Sequence, residues 1–363
     1  MNTPNGILVF LVIESRSKDK HLNFDKYQYK AMIGTGGLGS GVFLSLQGND
    51  TLGREESRSV TILDRRDYCK LHIVSHYVRV LLDDPFRVIP IGKVGDDPIG
   101  DKLIDEMKFA GLDLTYVGKS VGANTTFSYC YLYPNGDGGN LTVENAASSL
   151  VDSDFVNRAE PVISHYADTC IAVELPEIPL HSRNEFLRLA SDLNCFRVAS
   201  FLSGEILEAI EMGMIEQIDL LSINVDEAAR IVDLAYEGNL YESIIHKAIK
   251  KLSTLNPRLL ISITAGGRGS WFWGAGELRH QPAYDTTVVG TAGAGDAYLA
   301  GLITGLVAGI EFSQMQQLAN LVAAFSVTSP HTIHPGISIR ALADFVQDRH
   351  HKLSKPVSKM ISK

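Results

Sequence analysis

The sequence predicts an α/β protein in which helices cover both faces of a mostly parallel sheet, with a small accessory β element. Strand patterns alternate with helical patterns along the chain, and the helical pattern after Asp296 is apolar on nearly all sides. Strands separated by helices pair in parallel and need helices on both faces. A helix without a polar face is expected to be buried.

The individual elements follow from hydrophobic spacing and from turn residues. Strand patterns occur in ILVFLVI (residues 7–13), FRVIPIGKVGDD, DTCIAVEL, IDLLSIN and RLLISIT. Helical spacing occurs in DPIGDKLIDEMKFAGLD, RNEFLRLASDLN and VDEAARIVDLAY. Two hairpins are predicted, in TTFSYCYLYPNGDGGNLTV and in GSWFWGAGELRHQPA. The first hairpin breaks the alternation, so we expect it to stand off the main sheet.

Composition narrows the class of protein. The chain has 363 residues with 45% hydrophobic and 21% charged residues, as in ordinary soluble proteins. Its net charge of −9 argues against a nucleic-acid partner, which would need a basic face. The four cysteines lie far apart, as in a cytosolic protein with reduced thiols. The apolar runs are too short to span a membrane. We therefore expect a cytoplasmic protein with a small-molecule partner and no membrane or nucleic-acid partner.

The stretch VVGTAGAGDAYLAGLITGL (residues 288–306) opens the apolar helix. A buried helix start leaves backbone N–H groups without partners, and its dipole favours an anion. Gly293, Ala294 and Gly295 have almost no side chains, so a phosphate could approach these N–H groups as in an anion hole. Asp296 would then face the attacking hydroxyl and accept its proton. A capped helix start with glycines for close packing is the alternative interpretation.

Here the chain resembles the ribokinase-like carbohydrate kinases, also called the phosphofructokinase B (PfkB) family. That family's C-terminal signature, Asp-Thr-x-Gly-Ala-Gly-Asp, is similar to residues 290–296, with Gly290 in place of the first Asp. ISITAGGRGSWFW resembles its nucleotide loop, SINVDEAA its Asn-x-x-Glu motif, and GKVGDDPIGDKLIDEMKFAGLD the stretch before its lid. MIGTGGLGSGVFLSL stands where its Gly-Gly motif occurs. The resemblance implies ATP-dependent phosphorylation of a hydroxyl on a sugar-like molecule.

The Asn-x-x-Glu resemblance implies that Asn224 and Glu227 organise Mg²⁺. Asn224 ends a predicted strand and Glu227 lies one helical turn further, so both can reach one point. Oxygen ligands suit Mg²⁺, which keeps much of its water shell, so contact through water is expected. The same two residues also fit a capping box at a helix start.

The resemblance further places Thr264, Gly266 and Gly269 in the ATP-binding loop, where strand ends of α/β sheets bind ligands. Asn320 lies where the family lines its adenine pocket, although a polar residue on a helix surface is equally compatible with the sequence.

In the same family interpretation, Gly36 and Gly37 let hydroxyls of the substrate approach the backbone. The family's first strand usually ends in Gly and then a hydroxyl-binding Asp, but residues 9–20 have no Gly. At best, Glu14 or Asp19 could substitute. The charged segment from 48 to 82 is longer than in the family and could line the substrate mouth. These departures leave open a protein that binds its ligand without efficient turnover.

The resemblance also implies one domain over residues 1–363 with the three-layer α/β/α fold of ribokinase and a small β-sheet lid. Lid elements are expected within about residues 14–35 and 120–145, and a homodimer can form through the lid. Residues 350–363 are basic and weakly apolar and are expected to be a loose tail.

Two other site hypotheses remain open on the sequence. Residues 34–39 fit Gly-x-Gly-x-x-Gly, and Glu55 follows at the distance of a ribose-binding acid, as in dinucleotide-dependent oxidoreductases. Cys69, His72 and His76 share one helix face and are zinc-type ligands, but a half-buried amphipathic face is the alternative.

Overall fold

The computed structural model describes residues 27–48, 51–82, 84–135, 138–235 and 240–362. In chain order, its strands are β1 (Ala31–Thr35), β2 (Gly39–Leu46), β3 (Val60–Tyr68), β4 (Arg87–Gly95), β5 (Val117–Ser120), β6 (Thr126–Leu132), β7 (Gly138–Thr142), β8 (Cys170–Glu174), β9 (Phe196–Ala199), β10 (Leu220–Asn224), β11 (Leu260–Thr264), β12 (Ser270–Gly274) and β13 (Glu277–Gln281). The strand predicted at residues 7–13 lies outside the described residues.

The α-helices of the described residues alternate with many of these strands. They are α1 (Lys70–Leu81), α2 (Pro98–Phe109), α3 (Ser153–Asn157), α4 (Glu160–Tyr166), α5 (Leu180–Asp192), α6 (Ile206–Glu211), α7 (Val225–Ile231), α8 (Tyr241–Leu255), α9 (Ala294–Val307), α10 (Phe312–Ser326), α11 (Ile339–Asp348) and α12 (Lys355–Ile361). Among the helices of the described ranges, none combines the length and apolar character that a membrane span requires.

Nine of the described strands form one large sheet in the order β13-β12-β11-β10-β9-β8-β1-β4-β5. Pairing is parallel from β5 to β11, and β12 and β13 add an antiparallel edge. Successive residues of a strand point to opposite faces. Met32 and Ile171 accordingly pack with α1, α2 and α9–α12, while Ile33 and Ala172 pack with α3–α5 on the other face. Helices α6–α8 cover the rest of that face. The predicted α/β class and its three layers are confirmed.

The small sheet has the order β3-β2-β6-β7. Strands β6 and β7 lie within the hairpin predicted at residues 125–143 and within the predicted lid range 120–145. In the other lid range, 14–35, β1 (Ala31–Thr35) belongs to the large sheet rather than to the lid, and residues 14–26 lie outside the described ones. Two strands further along the chain, β2 and β3, complete the lid instead. Ile62, Tyr129 and Leu141 are exposed on this lid, and the homodimer through it stays a prediction.

The structure also describes most of the segment from 48 to 82 and the C-terminus. The former contains β3 of the lid and helix α1, whose side chains Leu71 and Tyr77 are fully buried. The expectation of a loose tail at residues 350–363 is wrong, because α12 buries Val357, Met360 and Ile361 in the main core. These residues follow i, i+3, i+4 spacing, which places them on one helix face.

A buried ion pair ties α5 to the large sheet. The guanidinium of Arg183 is fully buried and donates to Glu174 on β8, to Glu205 at 2.7 Å and to the carbonyl of Ser200 at 2.8 Å. It also lies 4.9 Å from the ring centroid of Phe201. Burial raises the pKa of Glu174 to about 7, although Arg183 acts in the opposite direction. Because buried charges need partners, this pair holds α5 in a defined position.

Candidate active site

The apolar helix α9 begins at the glycine-rich turn, as the sequence predicts. Gly293 precedes its first residue with a left-handed φ of 77°. A Cβ atom there would lie only 2.7 Å from the carbonyl oxygen of Thr332, so both the turn and this contact require glycine. Ala294 is the first helical residue, and every residue from Asp296 to Val307 is buried.

Gly295 differs from Gly293 in its surroundings. It is exposed, and a Cβ atom built on it would meet no atom within 4 Å. Since the first N–H groups of a helix have no partner within the helix, a small anion has both donors and space beside Gly295. The anion hole at Gly293, Ala294 and Gly295 is compatible with this geometry and stays a prediction.

Asp296 forms an ion pair that the sequence did not suggest. The residue is 8% exposed, and its Oδ1 accepts a hydrogen bond at 3.1 Å from Nζ of Lys70, the first residue of α1. Burial alone would lower the pKa of Lys70, but the carboxyl groups of Asp296, Glu177 and Glu227 together raise it. The ammonium therefore stays charged and forms an ion pair with the carboxylate of Asp296.

Glu177 is a second site residue that the sequence analysis missed. It follows β8 with a left-handed φ of 77°, which is unusual for a residue with a side chain. Its Oε2 accepts a hydrogen bond at 3.0 Å from the backbone N–H of Lys70. Burial raises the pKa of Glu177 to about 7, although Lys70 and Cys69 lower it. The available signal in the sequence was ELPEIP, where the acidic residue Glu177 closely follows a buried strand.

The Glu177→Gln variant should show a flatter dependence of stability on pH. The pKa of Glu177 rises from 4.5 to about 7 in the folded protein, so the folded state binds this proton more tightly than the unfolded chain. Its contribution to stability is therefore fully present below pH 4.5 and is lost as the pH rises through 7, at up to about 1.4 kcal/mol per pH unit. Urea unfolding at pH 5 and pH 8 measures the difference. The exposed control Glu216→Gln should keep the parent profile, and an unchanged slope in Glu177→Gln would contradict this assignment.

Asn224 and Glu227 lie as predicted at the end of β10 and in the first turn of α7. They form a capping box, because Oδ1 of Asn224 accepts from the N–H of Glu227 at 2.9 Å and Oε2 of Glu227 accepts from the N–H of Asn224 at 2.6 Å. Burial raises the pKa of Glu227 to about 7, and the Asp296 carboxylate acts in the same direction while Lys70 opposes it. The capping interpretation is therefore correct, and it leaves Oε1 of Glu227 outside the capping box.

The predicted nucleotide loop follows β11. Thr264 is its last residue, and the turn after it contains Gly266, beside which a Cβ atom would meet open space. Gly269 has a φ of 90° and packs so closely on the carbonyl of Gln281 that a Cβ atom would lie 2.1 Å away, so the backbone fold explains this glycine. The other nucleotide roles stay predictions.

Asn320 is buried rather than on the helix surface. Its Nδ2 donates to Oγ of Ser270 at 2.9 Å, and Gln316 on the same helix donates to the carbonyl of Ser270 at 2.8 Å. These bonds fasten α10 to β12. A contact of Asn320 with adenine stays a prediction.

Gly36 and Gly37 pack closely against the segment after β8. A Cβ atom on Gly37 would lie 2.4 Å from Cβ of Glu177, and one on Gly36 would lie 3.0 Å from Cβ of Leu175. The segment after β8 thus limits side-chain size at both positions, and their contact with substrate hydroxyls stays a prediction. Strand β2 follows the two glycines. The first helix of the described residues, α1, begins only at Lys70.

The position of strand β2 directly after the glycines overturns the dinucleotide-binding hypothesis. A Gly-x-Gly-x-x-Gly fingerprint must open a helix so that the pyrophosphate meets the helix N-terminus. Here Gly34 lies within β1 and Gly39 begins β2. Glu55, the proposed ribose ligand, is 82% exposed and lies beside Arg54.

The proposed zinc ligands also do not assemble a site. In the described part of the chain, no group of three or more His, Cys, Asp or Glu side chains is placed to hold a metal ion. Cys69 precedes α1, and the rings of His72 and His76 lie 6.3 Å apart. Burial lowers the pKa of His72 to about 3 and that of His76 to about 4, so both are neutral at pH 7. This fits the alternative, a largely buried helix face.

A loop after α10 connects the lid to the start of α9. In this loop, the N–H of Thr332 donates to the carbonyl of Arg66 on β3 at 3.1 Å, and Oγ1 of Thr332 accepts from the N–H of Tyr68 at 3.1 Å. Nδ1 of His331 accepts from the N–H of Arg66 at 2.9 Å. Because the carbonyl of Thr332 also contacts Gly293, one residue contacts both the lid and the anion-hole turn.

Comparisons with known proteins agree with this arrangement. The domain described as pfkB family carbohydrate kinase matches residues 78–339, more than half of the chain. A ribokinase of Staphylococcus aureus is 22% identical over 219 residues, which cover 60% of this chain and 67% of the relative. The structure of ribokinase from Giardia lamblia matches with a TM-score of 0.73 and 18% identity, covering 88% of this chain and 99% of that one.

A ribokinase of Arabidopsis thaliana, complexed with ribose and ATP, has a TM-score of 0.66 at 17% identity, covering 92% of this chain and 99% of that one. At such identities the structural matches establish the fold, and they confirm the ribokinase-like architecture expected from the sequence.

Proposed function

Because this chain belongs to the pfkB family of carbohydrate kinases, we propose that it transfers the γ-phosphoryl group of ATP to a hydroxyl of a sugar or sugar-like molecule. The observation that carries the proposal is the buried carboxylate of Asp296, which lies one residue beyond the open backbone at Gly295 and 3.1 Å from the Lys70 ammonium. A proton acceptor and an anion-binding helix start are thus adjacent, as phosphoryl transfer to an alcohol requires.

In the proposed reaction, the acceptor oxygen attacks the γ-phosphorus while its proton passes to Asp296. A new oxygen–phosphorus bond forms, the bond between the γ-phosphorus and the β,γ-bridging oxygen breaks, and ADP leaves with that oxygen. The N–H groups at the start of α9 stabilise the negative charge on the transferred group. Lys70 balances the charge of Asp296 until the proton arrives.

The residues around Glu227 fit a magnesium ion held through water and the nucleotide. Glu227 is buried and carries one oxygen outside its capping box, and Asn224 lies beside it. Since Mg²⁺ keeps several waters and binds nucleotide phosphates, a complete cage of protein ligands is unnecessary. When bound, the ion would neutralise charge on the phosphates, while Glu227 orients its water shell.

An assay of ADP formation tests the proposal. The full chain is incubated with ATP, Mg²⁺ and, in turn, D-ribose, 2-deoxy-D-ribose, D-fructose, ribitol and inosine. Acceptor-dependent ADP release and a phosphorylated product by mass spectrometry would support a kinase, and EDTA should abolish both. If calorimetry detects acceptor and ATP binding but no product forms, the protein is a ligand-binding protein without efficient turnover.

The Gly295→Ala variant should lose turnover without losing stability. The added methyl group meets no protein atom within 4 Å, and alanine favours a helix over glycine by about 0.5–1 kcal/mol. The methyl should instead displace the phosphoryl group, and a displacement of this size costs about 10²-fold in turnover. Steady-state kinetics and thermal unfolding measure the two effects. Gly204→Ala, where the space is equally open, is the control and should keep parental turnover. Parental activity in Gly295→Ala would exclude Gly295 from the anion hole.

A further inference from the structure

The junction between the lid and α1 carries a carboxylate that the proposed reaction does not yet use. Asp67 is the penultimate residue of β3 and lies three residues before Lys70. It pairs in register with Gly41 of β2, which in turn pairs with Ser128 of β6. Because paired residues share a face and Ser128 is buried, Asp67 lies on the inner face of the lid.

Contacts within the lid fix the orientation of Asp67. Its Oδ2 accepts a hydrogen bond from Sγ of Cys130 at 3.4 Å, and a Cβ atom on Gly41 would lie 2.8 Å from the same oxygen. Two extra residues, Asp64 and Arg65, form a bulge just before it, since Leu63 pairs with Phe43 and Arg66 with Val42. Bulges bend a strand and commonly aim side chains beside active sites.

The charge of the Asp67 carboxylate also interacts with the charges of Lys70 and Asp296. Burial raises the pKa of Asp67, and the carboxylate of Asp296 acts in the same direction while Lys70 opposes it. Asp67 on the lid and Asp296 on α9 therefore both lie near Lys70, which also interacts with Glu177 and Glu227. These carboxyl groups already compensate the positive charge of the Lys70 ammonium.

We propose that Asp67 binds hydroxyl groups of the acceptor from the lid side and, with the carboxyl groups around Lys70, selects an uncharged polyhydroxy acceptor over a phosphorylated one. Asp67 thereby fills the hydroxyl-binding role for which residues 9–20 offer no Asp in the family's position. A carboxylate accepts hydrogen bonds from hydroxyl groups at either oxygen, whereas a phosphate group brought to this place meets like charges. The proposal rests on the kinase function above and names its acceptor class.

The Asp67→Asn variant tests the proposal, with Asp64→Asn on the same strand as the matched control. Asp64 is exposed in the bulge, so its replacement should leave acceptor kinetics unchanged. Asp67→Asn should raise the KM of the neutral acceptor by about 10- to 100-fold, the effect of one hydrogen bond to a charged group, while the KM of ATP stays within twofold. Thermal unfolding detects structural damage. Such damage alone would not raise the KM of the acceptor while leaving the KM of ATP unchanged.

Acceptor choice is measured with the same assay on D-ribose, inosine, D-ribose 5-phosphate and D-fructose 1-phosphate. The parent should prefer an uncharged member of this set, and Asp67→Asn should narrow that preference. The inference would be overturned if the parent has a higher kcat/KM on a sugar phosphate than on an uncharged acceptor. An acceptor KM that is unchanged in Asp67→Asn would overturn it as well. Either result would leave the kinase function standing. Absence of ADP release from the parent with all acceptors would instead contradict the kinase function itself.

Discussion

Replacing Asp296 with asparagine should lower turnover by about 10²–10⁴-fold, the usual contribution of a positioned acid–base group. Asparagine keeps the shape of the side chain but cannot accept the proton of the attacking hydroxyl. ATP affinity should be retained, because the N–H groups at the start of α9 remain, and it should rise slightly since a negative charge near the phosphates is removed. Fold stability should change little, because Glu177 and Glu227 still surround Lys70.

Steady-state turnover and calorimetric ATP affinity are the two measurements for Asp296→Asn. Asp101→Asn is a matched control, because Asp101 also lies in the first turn of a helix and pairs with a lysine, Lys119, but is exposed. The control should keep parental turnover. If Asp296→Asn stays within a few-fold of the parent, Asp296 is only a helix-start residue and the proposed mechanism is wrong.

Replacing Arg183 with methionine should destabilise the protein by about 3–5 kcal/mol, the cost of leaving a buried charge without its partner. Glu174 would remain fully buried, and its Oε1 already has no hydrogen-bond partner in the described structure. Without the guanidinium, the folded-state pKa of Glu174 should rise further above 7. The loss of stability should therefore be larger at pH 8 than at pH 5, where the carboxyl group is mostly neutral in the folded state.

Urea unfolding of three variants separates the buried charge from a general effect of the substitution. Arg188→Met lies on the same helix and removes pairs with Glu185 and Asp192, but its side chain is 57% exposed, so the loss should stay below about 1 kcal/mol. The double variant Arg183→Met with Glu174→Met should recover much of the stability, because no buried charge is left at position 174. Equal losses for Arg183→Met and Arg188→Met would contradict the account of the ion pair.

The sequence predicted those features of the fold and of the site that depend on residues close together along the chain. The motif ending at Asp296, the position of Asn224 at a strand end and the buried character of α9 were all predictable, because local spacing determines them. Lys70, Glu177 and Asp67 were not predicted, since they come from two distant segments, the junction of β3 and α1 and the end of β8, which meet near Asp296 only in the folded protein. No short-range pattern marks such a meeting point.

The errors have identifiable physical causes. The glycine run at residues 34–39 resembled a dinucleotide-binding loop, but it leads into strand β2, and close contacts with Glu177 and Thr126 limit side-chain size at Gly37 and Gly39. The lid strands β2 and β3 were missed because a long charged connection separates them. The C-terminal helix α12 was detectable, since Val357, Met360 and Ile361 have helical spacing, but its basic flanks suggested an unfolded tail.

The hydrogen bonds of Thr332 have a thermodynamic consequence. Through its N–H and Oγ1 this residue contacts the lid strand, and through its carbonyl it contacts Gly293. A shift of the lid around an acceptor should therefore also displace the turn at the start of α9, which is proposed to bind the phosphoryl group. The two ligands should bind with heterotropic coupling, in which acceptor and nucleotide change each other's affinity by the same factor, because linkage is reciprocal. The loop that contains Thr332 would then discriminate against water as an acceptor, because a water molecule cannot hold the lid in its shifted position.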